Sequence, residues 1–263
     1  MDVFVGLLIL FTAATVAYAF VPLTSTHVDS LSQFILASTL CGTLLLPPSR
    51  MWSPVAHRLA IYAGCAILGL SSGLSLIDPS NFSYFILLFC YFHFSEFALI
   101  SVSHGQARFD SLLLNHGTPY ASSFVASLFE HSFSPFIVRN KAVLILGAFV
   151  AILGLTVRAL ALITAGKAFT HLISTKRESS HKLTTSGIYR YIRHPGYCGW
   201  FYWVVGGQIL AGNPICATVF GIVTWIFFRD RIEYEESVLI SMFGTEYDRY
   251  RLRTKRSGVP FIS

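Results

Sequence analysis

Long apolar runs, most of them closed by a proline, a glycine or a charged residue, fill most of this 263-residue chain. A run of about twenty apolar residues crosses the roughly 30 Å hydrocarbon core of a bilayer as a helix, which satisfies its backbone polar groups internally. Such runs lie at 2–21, 28–46, 55–77, 82–103 and 136–165, with a weaker one at 119–130. Two more, 196–211 and 215–240, flank Gly212-Asn213-Pro214, a turn so short that the two helices must be antiparallel and in contact. Only 12% of the residues are charged, against about 25% in a soluble domain. The expected fold class is therefore all-α: a polytopic membrane helix bundle of about eight transmembrane helices. Ala17-Tyr18-Ala19 imitates a signal-peptidase site, but no Lys or Arg precedes the first run, so it reads as a retained helix.

Charge divides the chain. From Lys167 onward stand 13 of the 19 basic and 7 of the 13 acidic residues, so the whole net charge of +6 belongs to that part. Eight spans put both termini and the polar segment 166–195 on one side, with Arg50, Arg58 and Arg108, and leave Arg139 and Lys141 on the other. The positive-inside rule makes the shared side cytosolic. Residues 1–263 thus read as a single integral membrane domain, with 1–165 mainly transmembrane spans and 166–263 a catalytic region. The basic stretch 249–256 reads as attraction to lipid headgroups, and the charge requires no nucleic acid.

Two polar clusters flank the predicted hairpin: Arg193-His194-Pro195-Gly196-Tyr197 before it and Arg229-Asp230-Arg231-Ile232-Glu233-Tyr234-Glu235-Glu236 near its end. Ionisable groups at lipid depth are costly and usually carry function. On a helix Arg229 faces Glu233 and Arg231 faces Glu235 at i,i+4, but Arg before Glu is the weaker order, so helix stabilisation explains the cluster poorly. Arginine offers a planar fork to a carboxylate, and a carboxylate takes an ammonium. Pro195 suits the first helical turn and leaves unpaired N–H groups beside Gly196, an end that can cradle an anion or simply anchor the helix at the headgroups. In the fourth run His93 and Glu96 share a face at i,i+3, a pattern expected to hydrogen-bond between helices.

Other chemistries find little support. His171, His181 and His194 match no metal-ligand spacing, so no metal site is expected. Cys41, Cys65, Cys90, Cys198 and Cys216 sit in or beside apolar runs as small packing residues. Gly105, Gly187 and Gly206-Gly207 have no strand–turn–helix context for a dinucleotide fingerprint. Inverted repeats of a transporter are not visible, and the charges gather at one membrane face rather than at the midplane.

The block from His171 to Ile262 carries Ser186-Gly187-Ile188-Tyr189, Arg193-His194-Pro195-Gly196-Tyr197-Cys198-Gly199-Trp200, Asn213-Pro214-Ile215-Cys216, Phe228-Arg229-Asp230-Arg231 and Gly258-Val259-Pro260-Phe261-Ile262. It resembles the isoprenylcysteine carboxyl methyltransferase family. Membrane phospholipid methyltransferases and NADPH-dependent sterol reductases share a related RHP-like element and are the nearest alternatives.

The resemblance implies a multi-pass enzyme of the endoplasmic reticulum membrane with both termini cytosolic. It implies methylation, by S-adenosylmethionine (SAM), of the C-terminal carboxylate of farnesylated or geranylgeranylated cysteine in proteins such as small GTPases and lamins. The implied cofactor residues are Ser174, His181, Lys182, Leu183, Thr184, Tyr189, His194, Pro195, Gly196, Tyr197 and Glu235, with Arg231 binding the substrate carboxylate as the catalytic residue. The family pattern has Gln where this chain has Ser174. A carboxylate is already ionised at neutral pH, so the reaction needs no general base. Alignment of the reacting atoms, worth roughly 7–11 kcal/mol, carries the burden instead. SAM enters from the cytosol in this reading, and the prenyl chain stays in lipid within an aromatic-lined tunnel, for which 23 Phe and 12 Tyr are available.

Overall fold

The computed structural model describes residues 81–104, 113, 118–169, 173 and 182–262. The expected spans 2–21, 28–46 and 55–77 lie outside the described residues. Two compact units divide the chain, Met1–Cys90 and Tyr91–Ser263. Within the first, Phe82 and Phe85 are buried with ring centroids 5.4 Å apart. The second holds all the elements that follow except residues 81–90 of the first helix.

The described elements are helical, with no strand among them: α1 (Asn81–His104), α2 (Thr118–Phe133), α3 (Lys141–Ala165), short 3-10 turns at Gly166–Ala168 and Gly187–Arg190, α4 (Pro195–Ala211), α5 (Pro214–Phe243) and α6 (Thr245–Arg253). The apolar run expected from residue 136 starts its helix only at Lys141, because the Asn140 side chain accepts from the Ala142 and Val143 N–H groups and fixes the N-cap there. Lys141–Ala168 is, among the described residues, the one helix long and apolar enough to cross a membrane by length and composition.

Helix α3 packs on α4 through small residues. A Cβ on Gly154 would stand 2.5 Å from the Trp203 nitrogen, and one on Gly199 would stand 2.5 Å from the Gly154 oxygen. Such backbone approach is how helices associate where lipid removes the hydrophobic drive between them. Ala151 and Ala161 are fully buried on the same helix.

The hairpin forms as its turn demands. Gly212 closes α4 in the left-handed region (φ 79°), with its N–H bonding the Gln208 and Ile209 carbonyls, and Pro214 opens α5 at its first turn. Helix α5 has 30 residues, about 45 Å at 1.5 Å each. Arg231, Glu235 and Glu236 stand in its second half. The chain then breaks at Gly244 (φ 53°) into α6, a helix the hydropathy pattern does not announce.

From Thr254 the chain turns back along the hairpin. Arg193 N donates to Arg256 O and His194 N to Ser257 O, each at 2.9 Å. Trp225 Nε1 donates to Pro260 O at 2.7 Å, and Val259 joins Phe228 and Ile232 in a core packed by Tyr197, Trp200 and Trp225.

Candidate functional site

Where α4 begins and α5 nears its end, a cleft opens that gathers residues from distant parts of the sequence. Lys182, Leu183, Thr184 and Tyr189 line it from the polar segment, and His194, Pro195, Gly196 and Tyr197 from the start of α4. Glu235, Leu239 and Met242 line it from α5, and Tyr247 and Tyr250 from α6. Nine of the eleven sequence-predicted cofactor residues thus share one wall system. The other two, Ser174 and His181, lie outside the described residues.

Two adjacent glutamates behave differently. Glu236 is buried and saturated: Oε1 takes Arg193 Nε at 2.7 Å and His194 Nε2 at 3.1 Å, while Oε2 takes Arg251 Nε at 3.0 Å. Glu235 Oε2 is buried without a hydrogen-bond partner, its nearest opposite charge being His194 Nδ1 at 3.6 Å. A buried carboxylate oxygen left unmatched costs free energy, which a cationic ligand group in the cleft recovers. Burial works against charge on His194, yet the two carboxylates prevail and raise its pKa above 6.5. The ring's hydrogen bond goes to Glu236 through Nε2, while Glu235 attracts it across 3.6 Å.

Arg231 does not line the cleft. It stands in a neighbouring recess with Ile173, Phe227, Asp230 and Tyr234. Its Nε donates to the Tyr197 hydroxyl at 2.8 Å, and its guanidinium lies 5.4 Å from that ring's centroid. Tyr197 therefore touches both compartments, stacked between His194 (5.7 Å) and Phe228 (4.9 Å). The i,i+4 pairing expected on α5 is not what forms. Arg229 pairs with its exposed neighbour Asp230 at 2.8 Å, and Arg231 turns to Tyr197. For Arg231 the reason is the packed aromatic partner that α4 offers, whereas the Arg229–Asp230 pair is solvent-exposed and contributes little.

Sequence reasoning missed several residues. Arg158 lies within α3, 4% exposed, and grips Glu96 with Nε at 2.8 Å and a second nitrogen at 2.6 Å. Its third nitrogen donates to the Gly196 carbonyl at 3.0 Å, and the guanidinium sits 4.8 Å from the Trp200 ring centroid. This pair braces the first turn of α4 from behind the cleft, and deleting one partner of such a buried pair costs about 3–5 kcal/mol. A lone arginine inside an apolar run is the signal that marks it. His93 does hydrogen-bond between helices as expected, to the Tyr120 hydroxyl at 2.7 Å.

Tyr247 and Tyr250 were also unmarked. Their i,i+3 spacing on α6 turns both inward, where the Tyr250 hydroxyl donates to Tyr189 O at 2.7 Å and Tyr247 is buried with its hydroxyl unpartnered. Burial pushes the phenol of Tyr247 well up, and that of Tyr250 to about 12, so both stay protonated donors.

The arrangement can hold a polar, cationic ligand in the cleft and an anionic group beside Arg231, with Tyr197 adjoining both. Comparison with known proteins agrees with that chemistry. A sequence model of the isoprenylcysteine carboxyl methyltransferase (ICMT) family matches residues 144–241. The chain is 36% identical over 224 residues to the protein-S-isoprenylcysteine O-methyltransferase of Rattus norvegicus, covering 81% of this chain and 78% of that one. It is 38% identical over 216 residues to the protein of the same name from Tribolium castaneum, covering 79% and 76%. A solved structure of the eukaryotic intramembrane Ras methyltransferase ICMT superposes with a TM-score of 0.73 at 28% identity, covering 96% of this chain and 94% of that one. The chain belongs to the isoprenylcysteine carboxyl methyltransferase family.

Proposed function

We propose that this chain is an intramembrane enzyme that methylates the C-terminal carboxylate of prenylated cysteine, with SAM as methyl donor. The observation that supports it most is the cleft itself: residues 182–184, Tyr189, His194–Tyr197 and Glu235 converge there, with a buried Glu235 oxygen unmatched. Its relatives are named for the same activity. The reading carries with it about eight spans, α4 and α5 among them, residence in the endoplasmic reticulum and cytosolic termini. Prenylated small GTPases and lamins are its expected substrates.

The fit to a sulfonium nucleoside rests on three features. Glu235 Oε2 supplies an acceptor for an ammonium. Gly196 leaves room at the mouth of α4, since a Cβ there would stand 3.2 Å from the Phe169 ring. Leu239, Met242 and Phe243 give an apolar wall for a base. When bound, SAM supplies an electrophilic methyl group.

The protein's own residues do the rest. Arg231 orients and neutralises the acceptor carboxylate from the neighbouring recess. It must not hold that group more tightly in the ground state than in the transition state, since uniform binding does not raise kcat. Tyr197 fixes Arg231 through its hydroxyl and so sets the distance between carboxylate and donor. No residue has to move a proton, because the acceptor is ionised already. The test is incubation of purified protein with methyl-labelled SAM and N-acetyl farnesylcysteine. A labelled base-labile ester is expected, and its absence under conditions where SAM binds refutes the assignment.

A further inference from the structure

The C-terminal tail packs back along the hairpin. Pro260 is held by Trp225 of α5, and Phe261 beside it is 99% exposed. An aromatic ring that bare belongs in hydrocarbon or at its edge. A few residues earlier, the Arg256 and Ser257 carbonyls bond the backbone of Arg193 and His194 at the mouth of α4. Lys255 and Arg256 are exposed at that level, as are Arg253 at the end of α6 and Arg190 opposite Thr254. Exposed basic side chains therefore stand on a segment that ends in an exposed aromatic ring.

The inner side of the same segment belongs to the cleft. Arg193 donates to Thr254 O at 2.7 Å as well as to Glu236, and Thr254 Oγ1 donates to Arg190 O at 3.1 Å. Tyr250, one turn before, closes on Tyr189. Residues 250–257 are thus a strap with a basic outer face and an inner face that holds Arg193, His194 and Tyr189 in place.

We propose that Arg253, Lys255 and Arg256 form a docking surface for the headgroups of anionic phospholipids, and that docking tightens methyl-donor binding by holding this strap against the cleft. The effect on the donor rests on the SAM reading given above; the docking surface does not. Charge complementarity and the neighbouring exposed Phe261 favour a membrane surface over a soluble anion or a protein. Lipid and donor are then linked reciprocally, each raising the affinity for the other.

The test uses the full chain in nanodiscs of phosphatidylcholine, with or without phosphatidylserine. Two readouts are taken: amide hydrogen exchange over residues 245–257 and calorimetric affinity for S-adenosylhomocysteine. Phosphatidylserine should slow exchange in the strap and tighten nucleoside binding about fivefold, at the low end of usual coupling. The triple variant Arg253→Gln, Lys255→Gln, Arg256→Gln, whose side chains are all exposed, should behave in both discs as the wild type does without phosphatidylserine.

Equal exchange in the two discs overturns the docking surface. Slower exchange with unchanged affinity overturns the coupling, and a triple variant that still responds overturns the choice of residues. Soluble glycerophosphoserine reproducing the effect would make this an anion site and not a membrane contact. If S-adenosylhomocysteine binds in neither disc, the SAM reading fails, while exchange still decides whether lipid docks.

Discussion

The α4–α5 hairpin has a buried polar cluster at each end, and the two are built to opposite rules. At the turn, Asn213 Nδ2 donates to Ser127 O, Ser127 Oγ and Gln208 Oε1 within 3.1 Å. There Glu130 spends both carboxylate oxygens on the Ile215 and Cys216 N–H groups, at 2.8 and 2.7 Å. The carboxylate caps α5, whose Asn213 N-cap makes no side-chain cap bond. One amide oxygen, Asn213 Oδ1, stays unmatched, in a residue that is 0% exposed. At the other end Glu236 is equally saturated, but Glu235 and Tyr247 keep unmatched atoms in residues that line a cleft. Burial and charge alone therefore do not mark a site. Unmatched polarity beside open space does.

The largest expected effect lies at the cleft end. Arg231→Ala should lower kcat about 10²–10³-fold, the usual loss on removing one preorganised charge donor, with S-adenosylhomocysteine affinity nearly intact. A loss confined to nucleoside affinity would move Arg231 out of the acceptor recess. Glu235→Ala comes next: nucleoside affinity should fall about tenfold or more, as for a hydrogen bond to a charged group, and thermal stability should hardly change. Unchanged affinity by calorimetry places Glu235 outside the donor's reach.

The turn end should respond the other way. Glu130→Ala leaves the buried Cys216 N–H and the part-buried Ile215 N–H without this partner and should cost about 1–3 kcal/mol of stability, read by denaturation in detergent. Nucleoside affinity should not move. If it does, the two ends are coupled and the contrast between them collapses.

A smaller effect follows from His194. Its folded pKa is raised, so the stability contributed by the imidazolium is complete below about 6.5, the unfolded value, and is lost as pH rises through the folded value. Melting temperature should therefore decline on the alkaline side of that window. His194→Gln should flatten this slope, and a slope that survives the substitution assigns it to other groups.

Much of this contrast was legible before any coordinates. Pro195 and the Gly212-Asn213-Pro214 turn announced the hairpin because their backbone limits act locally, without help from the rest of the fold. The RHPGY element and the Arg231 to Glu236 cluster stood out because charge at lipid depth is rare. What escaped notice depends on partners far away in sequence. Glu96 and Arg158 are 62 residues apart, and Glu130 meets the start of α5 across 85 residues. The division of labour between Glu235 and Glu236 escaped too, since neighbours of identical chemistry differ only in what packs against them. Helix α6 was hidden because its mean hydropathy is polar and its role lies in two inward tyrosines.

The most direct measurement is a structure of the full chain bound to S-adenosylhomocysteine. The nucleoside should lie in the cleft between residues 182–184 and Tyr247, with its ammonium within hydrogen-bond distance of Glu235 Oε2 and its sulfur facing the Tyr197 side, toward Arg231. A nucleoside bound elsewhere, or one in the cleft that leaves Glu235 Oε2 unmatched, would contradict the proposed site.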